Sequence, residues 1–136
     1  MQITKTVEFD MAHRLMYHEG QCRNIHGHHY VVEVVVDGST SKHGMVIDFA
    51  DLKKQIQTVI VSDCDHALAL NKEDSELIVF CIEHGFKFRV FESDPTAEVM
   101  AQEFLDLMRI ACKMVVLVTV YETATSSATA RFVECE

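Results

Sequence analysis

Residues 26–37 read His-Gly-His-His-Tyr-Val-Val-Glu-Val-Val-Val-Asp, and the fold is decided by how this stretch is read. β-Branched residues suit a pleated, half-buried surface, so the valine-rich body predicts a strand from His26 to Asp37. Toward the N-terminus, residues 3–13 predict a second strand, with Val7, Phe9, Met11 and His13 on one face and Thr6, Glu8, Asp10 and Ala12 on the other. A polar connection, His18–Asn24, lets the two fold back as antiparallel neighbours. In the other direction, residues 38–44 (GSTSKHG) predict a turn. Asp48 is a candidate N-cap, with Asp51 in the first turn where negative charge suits the helix dipole. Leu52, Ile56, Val59 and Ile60 form the apolar stripe of that helix.

Residues 75–84 predict a short helix stopped by Gly85, and Phe86–Phe91 a short strand. Asp94-Pro95 is expected to open a further helix with proline at its first position, its stripe drawn from Val99, Met100, Phe104, Leu107 and Met108. Residues 114–123 and 127–134 predict a closing antiparallel hairpin. The sum is an α+β chain, with an antiparallel sheet backed by helices on one face.

The 136 residues fit one domain spanning 1–136, and with 49% hydrophobic residues they can build a core without disulfides. Five cysteines, an odd number with no CxxC pair, argue against a disulfide framework. No apolar run approaches the roughly 18 residues of a membrane span, and MQITKTVEFD lacks the pattern of a secretory leader. A cytoplasmic location is therefore expected. A net charge of −9 supplies no basic face for phosphates, which argues against direct nucleic-acid or membrane binding. Any anionic ligand would need a locally positive pocket.

The chemistry concentrates around His26-Gly27-His28. Side chains two apart on a strand share a face, so both imidazoles project together with about 7 Å between their Cα atoms. His13, at the end of the neighbouring strand, can supply a third. Three imidazoles leave one tetrahedral position open, the pattern of catalytic rather than structural zinc. Gly27 leaves the opposite face bare for a close approach. His29 points to that other face as a surface residue or a support to the site, while His18, His43 and His84 read as solvated.

Three further groups are candidates. Cys22 precedes His26 by four residues, and a thiol beside a metal or a basic residue such as Arg23 readily ionises. It reads as a nucleophile or proton acceptor, a fourth metal ligand, or an inert thiol. Asp65-His66 is a possible acid–base pair; as consecutive residues they are expected to contact a third group rather than each other. Glu122 ends an apolar run, and a carboxylate there either sits exposed at a turn or accepts two parallel hydrogen bonds from a planar N–H edge.

Six ordered motifs carry a resemblance across almost the whole chain: FDMAHRL (Phe9–Leu15), CRNIHGHHY (Cys22–Tyr30), GMVIDFADLK (Gly44–Lys53), DCDHALALN (Asp63–Asn71), PTAEVMA (Pro95–Ala101) and VYETATSSATA (Val120–Ala130). The chain resembles the 6-pyruvoyltetrahydropterin and 6-carboxytetrahydropterin synthase family. The resemblance implies a T-fold with a four-stranded antiparallel sheet, closed into a barrel by oligomerisation, commonly as a hexamer of two trimers. It implies zinc on His13, His26 and His28, and Cys22 as catalytic residue. Asp65 and His66 would be its acid–base partners from a neighbouring subunit, and Glu122 the pterin anchor assisted by Thr123.

With three residues between Cys22 and His26, the spacing resembles the carboxy-forming bacterial branch. That branch converts 7,8-dihydroneopterin triphosphate to 6-carboxytetrahydropterin on the route to queuosine and related deazapurines. A pyruvoyl-forming enzyme, a dihydropterin side-chain aldolase and a non-catalytic pterin- or metal-binding protein are the alternatives. Segment Ser75–Glu92 matches poorly. Arg14, Arg23, Lys53 and Lys54 are triphosphate candidates by charge alone.

Overall fold

A computed structural model describes residues 1–135. Strands β1 (Gln2–His13) and β2 (His26–Asp37) pair antiparallel along their whole length, from Gln2 opposite Asp37 to His13 opposite His26. Helix α1 (Phe49–Ile56) runs on through a π-helical turn (Gln57–Val61) into α2 (Ser62–Cys64). Then follow β3 (Leu68–Asn71), α3 (Ser75–His84), β4 (Phe88–Phe91), α4 (Ala97–Ala111), β5 (Val115–Thr123) and β6 (Ser126–Arg131).

The pleat sorts the side chains as the alternation requires. Val7, Phe9 and Met11 on β1, and Tyr30, Val32, Val34 and Val36 on β2, are buried with Val118, Val120 and Ala130. They form one core with Leu52, Ile56 and Ile60 of the α1 segment and Met100, Phe104 and Met108 of α4. Each large side chain fully buried there contributes about 1.5–3 kcal/mol. Glu8, Asp10 and His29 occupy the uncovered face and are exposed. Asp48 caps α1 through Oδ1, which accepts from Ala50 N at 2.7 Å. Gly85 ends α3 in the left-handed region, with φ 70°.

The sheet has six strands rather than four, in the order β4-β3-β1-β2-β5-β6. β3 adds parallel to β1, and β4 parallel to β3. β4 falls within the short strand expected at Phe86–Phe91, whereas β3, at four residues, is too short for a period-two pattern to declare itself. The four central and C-terminal strands, β1, β2, β5 and β6, are antiparallel as expected.

Two details of α4 also differ from expectation. Proline is not its first residue: Thr96, in extended backbone, caps the helix by accepting from Val99 N at 3.2 Å, so the helix begins at Ala97. Pro95 lies before the cap, and its carbonyl is left outside the helix. The buried stripe is Ala97, Met100, Ala101, Phe104, Leu105 and Met108. Leu107 falls at its edge and is exposed.

Candidate metal centre

The β1–β2 register sets His13 opposite His26 and Met11 opposite His28, so the three imidazoles share the helix-covered face at one end of the sheet. His13 is fully buried, whereas His26 and His28 are partly exposed. Glu122 reaches the same place because it continues the inward phase of Val118 and Val120 to the end of β5. One donor atom from each of His13, His26, His28 and Glu122 lies within 4.8 Å of all the others.

Backbone carbonyls orient two of the rings. His13 Nδ1–H donates to Pro95 O at 2.9 Å, and His26 Nδ1–H donates to Asn24 O at 2.7 Å. A carbonyl can only accept, so each Nδ1 holds the proton and each Nε2 presents a lone pair. Those two Nε2 atoms face each other at 3.0 Å. Two lone pairs at that separation require a cation between them, either a proton or a metal ion. A proton on His13 is disfavoured, since burial pushes its pKa down, opposed in part by the Pro95 hydrogen bond and the Glu122 charge.

His28 Nε2 is buried and lacks an aligned hydrogen-bond partner, although Glu122 Oε1 stands 2.8 Å away. Glu122 Oε1 is also 3.4 Å from His13 Nε2. Four donors held at about 2.0–2.1 Å from one zinc-like ion stand ~3.3 Å apart, close to these separations. The donor set, three neutral imidazoles and a carboxylate, fits a divalent ion of borderline softness. Tyr30 closes the inner wall, its hydroxyl 3.3 Å from His13 Nδ1. Burial, reinforced by Glu122, pushes the Tyr30 phenol pKa up, so it stays neutral.

A cleft of about 600 Å³ lies on the uncovered face of the sheet, lined by Gly27, His29, Val31, Glu33, Tyr121 and Thr123, with His28 and Glu122 at its edge. The three metal candidates and Glu122 thus converge. Thr123 is exposed, with its hydroxyl turned to Thr125 at 3.4 Å.

The acid–base candidates are not all joined to one another among the described residues. Cys22 lies half-buried on a 3-10 turn (Gln21–Arg23), and among the described residues no hydrogen bond joins it to Asp65 or His66. Asp65 and His66, contrary to expectation, do contact each other, Oδ1 to Nδ1 at 3.0 Å. The reason is backbone: His66 has φ 64°, the left-handed region, which turns its side chain back onto the preceding residue. Asp65 Oδ1 also accepts from Asp10 N at 3.2 Å, and His66 N donates to Asp10 O, so the pair is tied to β1. His66 itself is largely exposed, at 78% of its side chain.

The groups that orient the rings, Pro95 O and Asn24 O, were not foreseen. Backbone carbonyls leave no mark in a side-chain pattern, although Pro95 does open the PTAEVMA motif. Arg14, a charge candidate for triphosphate, is occupied with buried Asp74, Nε to Oδ2 at 3.1 Å. His29 bridges Asp10 at 2.7 Å and Glu8 at 3.2 Å on the exposed face. Cys64, next to Asp65, is buried, and its thiol pKa is pushed up to about 12, which makes it an inert core residue.

Comparison with known proteins supplies the context. The family profile described as 6-pyruvoyl tetrahydropterin synthase matches residues 2–132. A 6-carboxy-5,6,7,8-tetrahydropterin synthase of Rickettsia conorii is 37% identical over 105 residues, covering 74% of this chain and 75% of that protein. The structure of Caenorhabditis elegans 6-pyruvoyl tetrahydropterin synthase superposes with a TM-score of 0.73 at 25% identity, covering 98% of this chain and 96% of that one. The crystal structure of an uncharacterized protein of Wolinella succinogenes superposes with a TM-score of 0.78 at 24% identity, covering 96% and 97%.

Proposed function

Because the chain belongs to the 6-pyruvoyl tetrahydropterin synthase family, we propose that it is a zinc-dependent 6-carboxytetrahydropterin synthase. It converts 7,8-dihydroneopterin triphosphate and water to 6-carboxy-5,6,7,8-tetrahydropterin, acetaldehyde and triphosphate. The observation that carries the metal part is the pair of lone pairs, His13 Nε2 and His26 Nε2, held face to face at 3.0 Å by carbonyls behind each ring. Bound by His13, His26 and His28, zinc would supply Lewis-acid polarisation of the substrate's side-chain oxygens.

The remaining work falls to the chain's own residues. Glu122, at the mouth of the imidazole cluster, accepts hydrogen bonds from the pterin's N–H edge, assisted by Thr123, and so presents the side chain to the metal ligands. Cys22 moves protons at the side-chain carbons, with His66 as its acid–base partner and Asp65 orienting His66. That no hydrogen bond joins Cys22 to the Asp65–His66 pair among the described residues fits a site completed by a neighbouring subunit. The exposed edges β4 and β6 support assembly into a barrel, with a hexamer of two trimers as the expected form. We place the enzyme in the cytoplasm, on the route to queuosine; among the described residues no helix is long and apolar enough to cross a membrane.

The reaction is tested by incubating the zinc-loaded protein with 7,8-dihydroneopterin triphosphate and weighing the pterin product. A carboxylated tetrahydropterin with stoichiometric acetaldehyde is expected. A pyruvoyl product, or cleavage to a hydroxymethyl pterin, would overturn this reading.

A further inference from the structure

We propose that Asp94 is a positioning residue that fastens the loop carrying Cys22 to the metal cluster; this rests on the functional reading above for the meaning of turnover, not for the contacts. Asp94 is half-buried at the corner before α4. Its Oδ1 accepts from Met16 N at 3.0 Å and from Asn71 Nδ2 at 3.1 Å, and its Oδ2 accepts from Tyr17 N at 3.1 Å. Three donors from two segments therefore converge on one carboxylate. Asn71 is itself buried and fixed from its other end, its Oδ1 accepting from Glu73 N at 2.9 Å.

Asp94 is the group that holds the backbone of the loop between β1 and β2 at Met16 and Tyr17. Leu15 N donates to Cys22 O at 3.0 Å, so the backbone held at Met16 and Tyr17 abuts the turn on which the thiol sits. Tyr17 OH donates at 2.6 Å to Glu73, whose own N–H donates to Asn71 Oδ1. The next residue after Asp94 is Pro95, whose carbonyl orients His13. One dipeptide thus holds the loop through the Asp94 side chain and the metal ligand through the Pro95 backbone. The two functions are separable: a side-chain change at residue 94 frees the loop and leaves the His13–Pro95 bond in place.

The test compares Asp94→Ala with the isosteric Asp94→Asn, whose single oxygen can replace only part of the set of acceptors. The readouts are zinc content, kcat and KM, and the alkylation rate of Cys22, followed by iodoacetamide labelling and peptide mass spectrometry. Zinc content is expected to stay at the wild-type level in both. In Asp94→Ala the Cys22 labelling rate should rise several-fold, and kcat should fall by tenfold or more, since a misplacement of about 1 Å can cost ~100-fold. Asp94→Asn should lie between Asp94→Ala and wild type in both. Unchanged Cys22 labelling in Asp94→Ala would overturn the proposal, as would loss of zinc in step with kcat. Labelling does not depend on turnover, so a wild-type protein inactive on the pterin triphosphate would overturn the functional reading alone.

Discussion

Replacing His26 with alanine is expected to strip the protein of its metal and reduce turnover to background while leaving the fold intact. His26 is the better choice among the three imidazoles because it is partly exposed, at the start of β2, and truncation there leaves little cavity. His13→Ala would remove a fully buried ring and leave both the Pro95 carbonyl and the Tyr30 hydroxyl without their partner. Loss of a group that merely supports a metal ligand weakens binding by about 10–100-fold, so loss of a ligand itself should exceed that range. With two imidazoles and Glu122 left, zinc should fall well below one ion per chain after dialysis, and the far-ultraviolet circular dichroism should be unchanged. Retention of a full equivalent of zinc by His26→Ala would show that the imidazoles are not the binding site.

Cys22→Ala is expected to separate chemistry from binding. Cys22 contributes its backbone carbonyl to the loop, where it accepts from Leu15 N at 3.0 Å, and that bond survives the substitution. No side-chain hydrogen bond is lost among the described residues, so melting temperature and zinc content should match the wild type. Removing a general acid–base group costs about 10²–10⁴ in rate, and turnover should fall by that order. Unchanged turnover would remove Cys22 from the mechanism. A concurrent loss of zinc would instead make its thiol a ligand, a role that sequence spacing alone leaves open.

The sequence was informative where a periodic pattern met a burial requirement. The period-two alternation of residues 3–13 and the valine-rich run of residues 26–37 predict the two long strands, and the strand pleat, which puts residues two apart on one face, predicts the convergence of His13, His26 and His28. α3 was legible for a similar reason: Gly85 supplies the left-handed residue that ends it. The strand at Phe88–Phe91 is legible in the sequence, but β3 and the parallel pairing of both are not, since these depend on hydrogen bonds to distant segments. The start of α4 was misplaced because proline is tolerated at a first helical position, whereas here Thr96 caps the helix and Pro95 serves His13. The contact between Asp65 and His66 was missed because nothing in the dipeptide announces a positive φ. The approach of Asp65 and His66 to Cys22 that the family resemblance implies is not made by any hydrogen bond among the described residues.

Zinc-edge X-ray absorption on the purified protein tests the metal centre most directly. The expected spectrum has only nitrogen and oxygen neighbours at about 2.0–2.1 Å, with the outer-shell scattering of three imidazoles. A sulfur neighbour at about 2.3 Å, or a single imidazole, would contradict the three-histidine centre.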